Sequence, residues 1–201
     1  MVAAFLALGD SYTIGEGVEV AEAWPLQLAT RFAAEGLVIG TPEVIATTGW
    51  STDELAAAIE AARPAAGRAL VSLLIGVNNQ YRGRDVDNYR DEFSILLDRA
   101  IELADGDAAR VVVVSIPDWG VTPFAAAHAA DAAKVAADID RFNAIARGIT
   151  ITRAAHWVDV TAISRGAGRD LLAADGLHPS AAQYTLWVEA IAPIARRAWG
   201  T

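Results

Sequence analysis

The chain contains no cysteine. That absence excludes disulfides, zinc–thiolate sites and a cysteine nucleophile together. Lysine is almost as scarce, with Lys134 the only one in 201 residues. The net charge is −9 and no basic stripe is present. A nucleic-acid backbone therefore finds no counter-charge, and an anionic membrane surface is disfavoured for the same reason. The longest apolar runs are too short to span a bilayer. The N-terminus lacks the basic segment of a signal peptide. The sequence thus predicts no stable membrane association and a cytoplasmic location. Repeats, low-complexity blocks and a disordered tail are also missing, although alanine is abundant.

Hydrophobic residues make up 54% of the chain, and the 20% that are charged are spread along it. This suits one compact domain, residues 1–201, with a full-sized core. Nothing in the sequence sets an oligomeric state. Short apolar, β-branched runs occur at residues 3–8, 44–47, 70–75, 111–116 and 157–160. Segments with helical spacing separate them, at about 24–35, 53–62, 86–103, 129–149 and 180–198. In residues 86–103, Val86, Tyr89, Phe93, Leu96, Ala100 and Leu103 recur at three- and four-residue steps. Ser180 followed by Gln183 reads as a capping box for the last helix.

Strands alternating with helices, and apolar throughout, imply a parallel sheet covered on both faces. The expected fold class is α/β: a three-layer, flavodoxin-like α/β/α domain with five parallel strands. In such sheets ligands bind outside the carboxyl ends of the strands. Four loops qualify: GDSYTIGEG, TTGWSTDE, GVNNQYRG and PDWGVTPF, with AADGLHPS before the final helix as a fifth.

GDSYTIGEG is no phosphate cradle. A P-loop needs a lysine at fixed spacing and a dinucleotide fingerprint needs GxGxxG, and neither is present. A phospho-acceptor receiver domain needs a late lysine, which is also missing. The serine of this loop is a nucleophile only if a base takes its proton, and with cysteine and a usable lysine missing the base is a histidine. His128 lies in an alanine-rich helix start and reads as solvated or capping. His156 and Asp159 fall on opposite faces of one strand. His178 sits in Asp175-Gly176-Leu177-His178-Pro179, where a carboxylate three residues upstream can fold back onto a ring nitrogen. On DGLHP alone, a helix start with an incidental Asp and His stays open. Attack on an ester also needs oxyanion donors. Asn78 offers a side-chain N–H and Gly49 an unobstructed backbone N–H, though each alone also reads as an ordinary turn residue. All of these residues fall at the predicted carboxyl ends.

Together they resemble the GDSL, or SGNH, hydrolase family over nearly the whole chain. Gly9-Asp10-Ser11 is similar to its first block, Gly49 to the glycine of the second, Gly76-Val77-Asn78 to the third and Asp175-Gly176-Leu177-His178 to the last. Asn79 stands where the third block usually has aspartate. The resemblance implies an SGNH-hydrolase fold and an esterase or acylhydrolase that works without metal or other cofactor. It assigns Ser11 as nucleophile, His178 as base and Asp175 as its partner, with Ser11, Gly49 and Asn78 forming the oxyanion hole. The expected partner is a small-molecule ester. An acyltransferase using a sugar or alcohol acceptor is the alternative, and a non-catalytic ligand-binding module a third reading. Tyr12, Trp50, Tyr81 and Trp119 are candidates to line the substrate pocket, or to pack loops onto the core. Arg82 and Arg84 read as able to meet an anionic substrate or, as is usual for arginines in a polar loop, as solvated; Asp10 reads as support for its own turn, and Asp118-Trp119-Gly120 as a pocket wall or a flap. The lack of a long apolar cap favours short or soluble acyl groups.

Overall fold

Five runs of successive apolar residues form the strands of one sheet in a computed structural model that describes residues 4–37 and 39–199. In chain order the elements are β1 (Phe5–Gly9), α1 (Ser11–Ile14), α2 (Trp24–Ala34), β2 (Glu43–Ala46), α3 (Thr52–Ala62) and β3 (Leu70–Leu74). There follow α4 (Val77–Tyr81), α5 (Val86–Leu103), β4 (Val111–Val114), α6 (Pro123–Ala127), α7 (Ala132–Thr152), β5 (His156–Val158), α8 (Thr161–Gly166) and α9 (Ala181–Trp199).

The strand order is β2-β1-β3-β4-β5, and every pairing is parallel. Every residue of β1, β3 and β4 is buried. Strands covered on both faces have no solvent side to alternate with, which is why they read as unbroken apolar runs. Helices α2 and α9 pack together on one face, with α9 lying across β3, β4 and β5. Helices α3, α5 and α7 pack in series on the other. Trp24 and Trp187 fill the first layer, and the mutually tilted rings of Tyr89, Phe93 and Phe142 fill the second. The fold is the three-layer α/β/α sandwich with five parallel strands that the sequence predicts.

Register places the site. Gly9 pairs with both Ala46 and Leu74, so β1, β2 and β3 end level and their following loops meet. The strand ends differ slightly from expectation. β4 ends at Val114: Ser115 N–H still donates to the Val158 carbonyl at 2.9 Å, but at Ile116 the bonding leaves the sheet, its N–H donating to Asn143 Oδ1 at 2.8 Å and its carbonyl accepting from Asn143 Nδ2 at 3.0 Å. β5 stops at Val158, and Val160 N–H and Thr161 N–H donate to Ser115 Oγ instead. Ala3, expected in the first strand, lies outside the described residues. Helix α7 begins at Ala132 because Asp131 caps it by accepting from Ala133 and Lys134 N–H. Only half of the expected capping box at α9 forms. Gln183 N–H donates to Ser180 Oγ at 3.4 Å, while Gln183 Nε2 donates to the Leu171 carbonyl at 2.8 Å.

Candidate active site

The loop after β1 turns at once into α1, and this sharp turn needs glycine. A Cβ on Gly9 would stand 2.2 Å from Thr13 Oγ1 and 2.5 Å from the Leu74 carbonyl oxygen. Asp10 caps the new helix, its Oδ1 accepting from Tyr12 N–H at 3.0 Å, as expected of a turn-supporting carboxylate. Asp10 is also wholly buried, and its Oδ2 has no partner. Burial dominates over the backbone hydrogen bonds it accepts and pushes this carboxyl up to about 7. Ser11 is the first residue of α1 and faces a cavity. As the first helical residue it has no partner for its N–H within the helix.

Asp175 organises the loop before α9. Its Oδ1 accepts from Leu177 N–H at 2.9 Å and from His178 N–H at 3.0 Å, so the loop folds around the carboxylate. Its Oδ2 lies 2.6 Å from His178 Nδ1. Burial acts to raise the Asp175 carboxyl. The bonds from the His178 ring and from the two backbone N–H groups outweigh it and hold the group below the usual carboxylate range. An ionised carboxylate only accepts, so the proton between the pair belongs to Nδ1, which leaves the Nε2 lone pair available. Within the loop, Ala173 N–H donates to the His178 carbonyl at 2.7 Å, and from outside it the Tyr12 ring packs against the imidazole at 5.4 Å. His178 is buried and lines the same cavity as Ser11.

Gly49 and Asn78 line that cavity too. Gly49 adopts φ +87°, the left-handed region, and a Cβ there would meet nothing closer than Arg82 Nη2 at 3.9 Å. Its glycine therefore answers a backbone requirement, not a lack of room. Asn78 Nδ2 donates to the Trp50 carbonyl at 2.9 Å, which orients the amide and leaves its second N–H to serve a ligand. Asn79 is buried behind it and bonds Thr52, the first residue of α3.

Of the four aromatic candidates, Tyr12, Tyr81 and Trp119 line the cavity, and Trp50 does not. Trp50 contributes its backbone carbonyl instead. Tyr81 is half-exposed at the rim and meets Trp119 edge-on at 5.3 Å. Trp119 Nε1 donates to Gln80 Oε1 at 2.8 Å, which fixes the indole as a wall. Asp118 beneath it is buried, accepting from Gly120 N–H and from Arg165 Nε at 2.8 Å, so the segment is tied down. Thr48, Val77, Phe124 and Leu177 complete the lining. Apart from Phe124, in the fourth loop, their small or plain apolar side chains carry no signal of a site.

The cavity measures about 160 Å³. His128 sits outside it, bonded through Nδ1 to the Phe124 carbonyl at 2.8 Å, and Asp159 bonds Ser115 Oγ and Thr161 N–H. Arg82 and Arg84 are not free in solvent: Arg82 bonds Glu54 and the Gly49 carbonyl, and Arg84 bonds Asp53. Among the described residues no group of three or more His, Asp or Glu is placed to hold a metal ion, and no helix is long and apolar enough to cross a membrane.

The profile of the GDSL-like lipase/acylhydrolase family matches residues 7–186. No curated protein sequence matches the chain significantly. Solved structures share its fold over nearly its whole length. The lipase/acylhydrolase from Enterococcus faecalis superposes with a TM-score of 0.72 at 18% identity, covering 98% of this chain and 96% of its own. The psychrotrophic esterase EstA from Pseudoalteromonas sp., solved as inhibited by monoethylphosphonate, gives 0.71 at 18% identity, covering 98% and 99%. Axe2, an acetyl-xylooligosaccharide esterase from Geobacillus, gives 0.70 at 18% identity, covering 96% and 95%.

Proposed function

The chain belongs to the GDSL-like lipase/acylhydrolase family and is an SGNH-type esterase or acylhydrolase, and from that premise we propose that it cleaves carboxylic esters of short acyl groups through an acyl-enzyme on Ser11. The observation that carries this reading is the Asp175–His178 pair at 2.6 Å, whose histidine lines the same cavity as Ser11. His178 Nε2 takes the Ser11 hydroxyl proton as Oγ attacks the ester carbonyl. Asp175 holds the imidazole in the required tautomer and stabilises the imidazolium that forms. Negative charge develops on the carbonyl oxygen. The N–H groups of Ser11 and Gly49 and the second N–H of Asn78 are the donors that receive it. The tetrahedral centre collapses, and His178 returns its proton to the departing alcohol. Water, deprotonated by the same nitrogen, then attacks the acyl carbonyl, and as the acyl–Oγ bond breaks His178 returns the proton to Ser11 Oγ and the acid is released.

The substrate class follows from the walls. Tyr12, Val77, Trp119, Phe124 and Leu177 offer apolar surface, and the volume is about 160 Å³. An apolar cavity of about 150 Å³ holds a benzene-sized guest. The acyl chain that fits therefore has on the order of six heavy atoms, which covers acetyl to about hexanoyl.

Hydrolysis of p-nitrophenyl acetate and butyrate by wild type and Ser11→Ala tests the reading. Loss of activity by a factor of roughly 10³ or more is expected in the variant, together with loss of labelling by a fluorophosphonate. Equal rates in the two proteins would overturn the assignment.

A further inference from the structure

The guanidinium of Arg82 reaches back over the loop that follows β2. Its Nη2 donates to the Gly49 carbonyl at 2.6 Å, and its Nη1 donates to Glu54 Oε2 at 3.1 Å and to Ser51 Oγ at 3.4 Å. Arg82 does not line the cavity. Its own backbone N–H donates to the Asn78 carbonyl at 3.0 Å, one helical turn back. One short segment thus carries the Asn78 amide, which faces the cavity, and an arginine that holds Gly49 from outside it.

Gly49 needs such a hold. At φ +87° it lies in a region that glycine leaves easily, and among the described residues the backbone bond closing the turn around it is a long one, Trp50 N–H to the Thr47 carbonyl at 3.3 Å, with side-chain bonds from Asn78 to the Trp50 carbonyl and from Thr48 to Glu16 on its flanks. The Gly49 N–H and carbonyl lie on successive peptide planes joined at its Cα, so in a turn whose ends are closed by the Trp50–Thr47 bond, fixing the carbonyl plane narrows the φ and ψ open to the N–H plane. Anchoring its carbonyl restricts where its N–H can point. The second prong of the guanidinium is fixed in turn, because Glu54 also accepts from Ser51 N–H at 2.9 Å, with the Ser51 hydroxyl placed 2.5 Å from Asp53 Oδ1 and 2.9 Å from Glu54 Oε2. A planar fork can hold a carbonyl and a carboxylate at once, which an ammonium point charge does poorly.

We propose that Arg82 is a positioning residue for the oxyanion hole: by clamping the Gly49 carbonyl to Glu54, it aims the Gly49 N–H at the oxygen that becomes negative in the transition state. This inference rests on the ester-cleaving reading above and assigns the aim of one donor to a side chain outside the cavity. Arg84 supplies the matched comparison. It ties the same two segments through Asp53 at 2.5 Å, carries the same charge and has no contact with Gly49.

The test compares Arg82→Ala, Arg82→Lys and Arg84→Ala in p-nitrophenyl butyrate hydrolysis, with butaneboronic acid as a tetrahedral-state mimic. Loss of an oxyanion donor outright costs about 10²–10³ in kcat, so misaiming one is expected to cost about 10- to 100-fold. In Arg82→Ala that loss falls on kcat, KM stays within about twofold, and boronate inhibition weakens by a similar factor. Arg82→Lys falls between Arg82→Ala and wild type, while Arg84→Ala keeps wild-type kcat. Wild-type kcat in a folded Arg82→Ala protein, a loss confined to KM, or an equal kcat loss in Arg84→Ala would overturn the proposal. Should Arg82→Ala fail to fold, Arg82→Lys decides: reduced kcat at an unchanged Tm supports it, and wild-type kcat overturns it. Ser11→Ala separates the two levels. If it stays active, the ester-cleaving reading fails. If it is inactive while Arg82→Ala keeps its kcat, only the role of Arg82 fails.

Discussion

The side-chain amide of Asn79 bonds Thr52 twice. Its Oδ1 accepts from Thr52 N–H at 3.1 Å, and its Nδ2 donates to Thr52 Oγ1 at 2.6 Å. The Thr52 hydroxyl then has its own proton left for Glu92, which accepts it. This chain accounts for asparagine where the family block that the sequence resembles has aspartate: with the Thr52 proton committed to Glu92, the neighbour of Oγ1 must be a donor. It also pins α3 to the segment carrying Asn78.

Asn79→Asp should therefore be destabilising, because two carboxylates then compete for one hydroxyl proton at a buried position. The expected loss is about 1–3 kcal/mol. Adding Glu92→Gln supplies an N–H to the Thr52 hydroxyl and frees its proton for Asp at 79. Urea unfolding of the two single variants and the double variant should show a favourable coupling of about 1 kcal/mol or more. Additive losses would refute the Asn79–Thr52–Glu92 chain.

Asp10 sets a pH dependence of stability. Its carboxyl is pushed from 3.8 to about 7 by burial, so between those values the folded chain holds a proton that the unfolded chain has released. Stability from this group is complete below about pH 4, falls as pH rises and is lost above about 7, a change on the order of 4 kcal/mol. Asp175 acts with the opposite sign. Its lowered pKa contributes stability above about 3.8 that is lost as pH falls further. Urea midpoints measured from pH 4.5 to 8 should decline in wild type and flatten in Asp10→Asn, whose amide oxygen still accepts from Tyr12 N–H. Parallel slopes in the two proteins would exclude Asp10 as the source.

Under the proposed reading, Trp119 is expected to limit the length of the acyl chain. It is buried, backed by Phe124 and held by its bond to Gln80. Trp119→Ala should cost about 3–5 kcal/mol in stability and open the cavity wall. The ratio of kcat/KM for p-nitrophenyl octanoate over acetate is expected to rise by about tenfold, the size of effect that a few methylenes have in an apolar pocket. An unchanged ratio would place the acyl group elsewhere.

Much of the architecture was legible in the chain because it rests on short-range rules. Helix α5 spans Val86–Leu103, as its spacing predicts, and Val86, Tyr89, Phe93, Leu96, Ala100 and Leu103 are all buried. The short helices α1, α4, α6 and α8 left no periodic trace, since none is longer than 6 residues. The Asp175–His178 contact was legible for a related reason: a carboxylate three residues upstream in a Gly- and Pro-bounded turn reaches its histidine locally.

Trp50 and Arg82 were read less well, and both depend on partners far along the chain. Asn78, 28 residues on, takes the Trp50 carbonyl, and the indole is not among the groups lining the cavity. Arg82 looked like a solvated arginine, and its carbonyl partner Gly49 lies 33 residues away. By itself the sequence determined the order of strands and helices and the residue types able to do the chemistry, because periodicity and side-chain inventory are local properties. Only the tertiary structure decided how a buried Asp10 titrates, which aromatics wall the cavity and which arginine grips Gly49. Those depend on desolvation and on hydrogen bonds between distant loops, and both arise when parallel strands bring their carboxyl ends level.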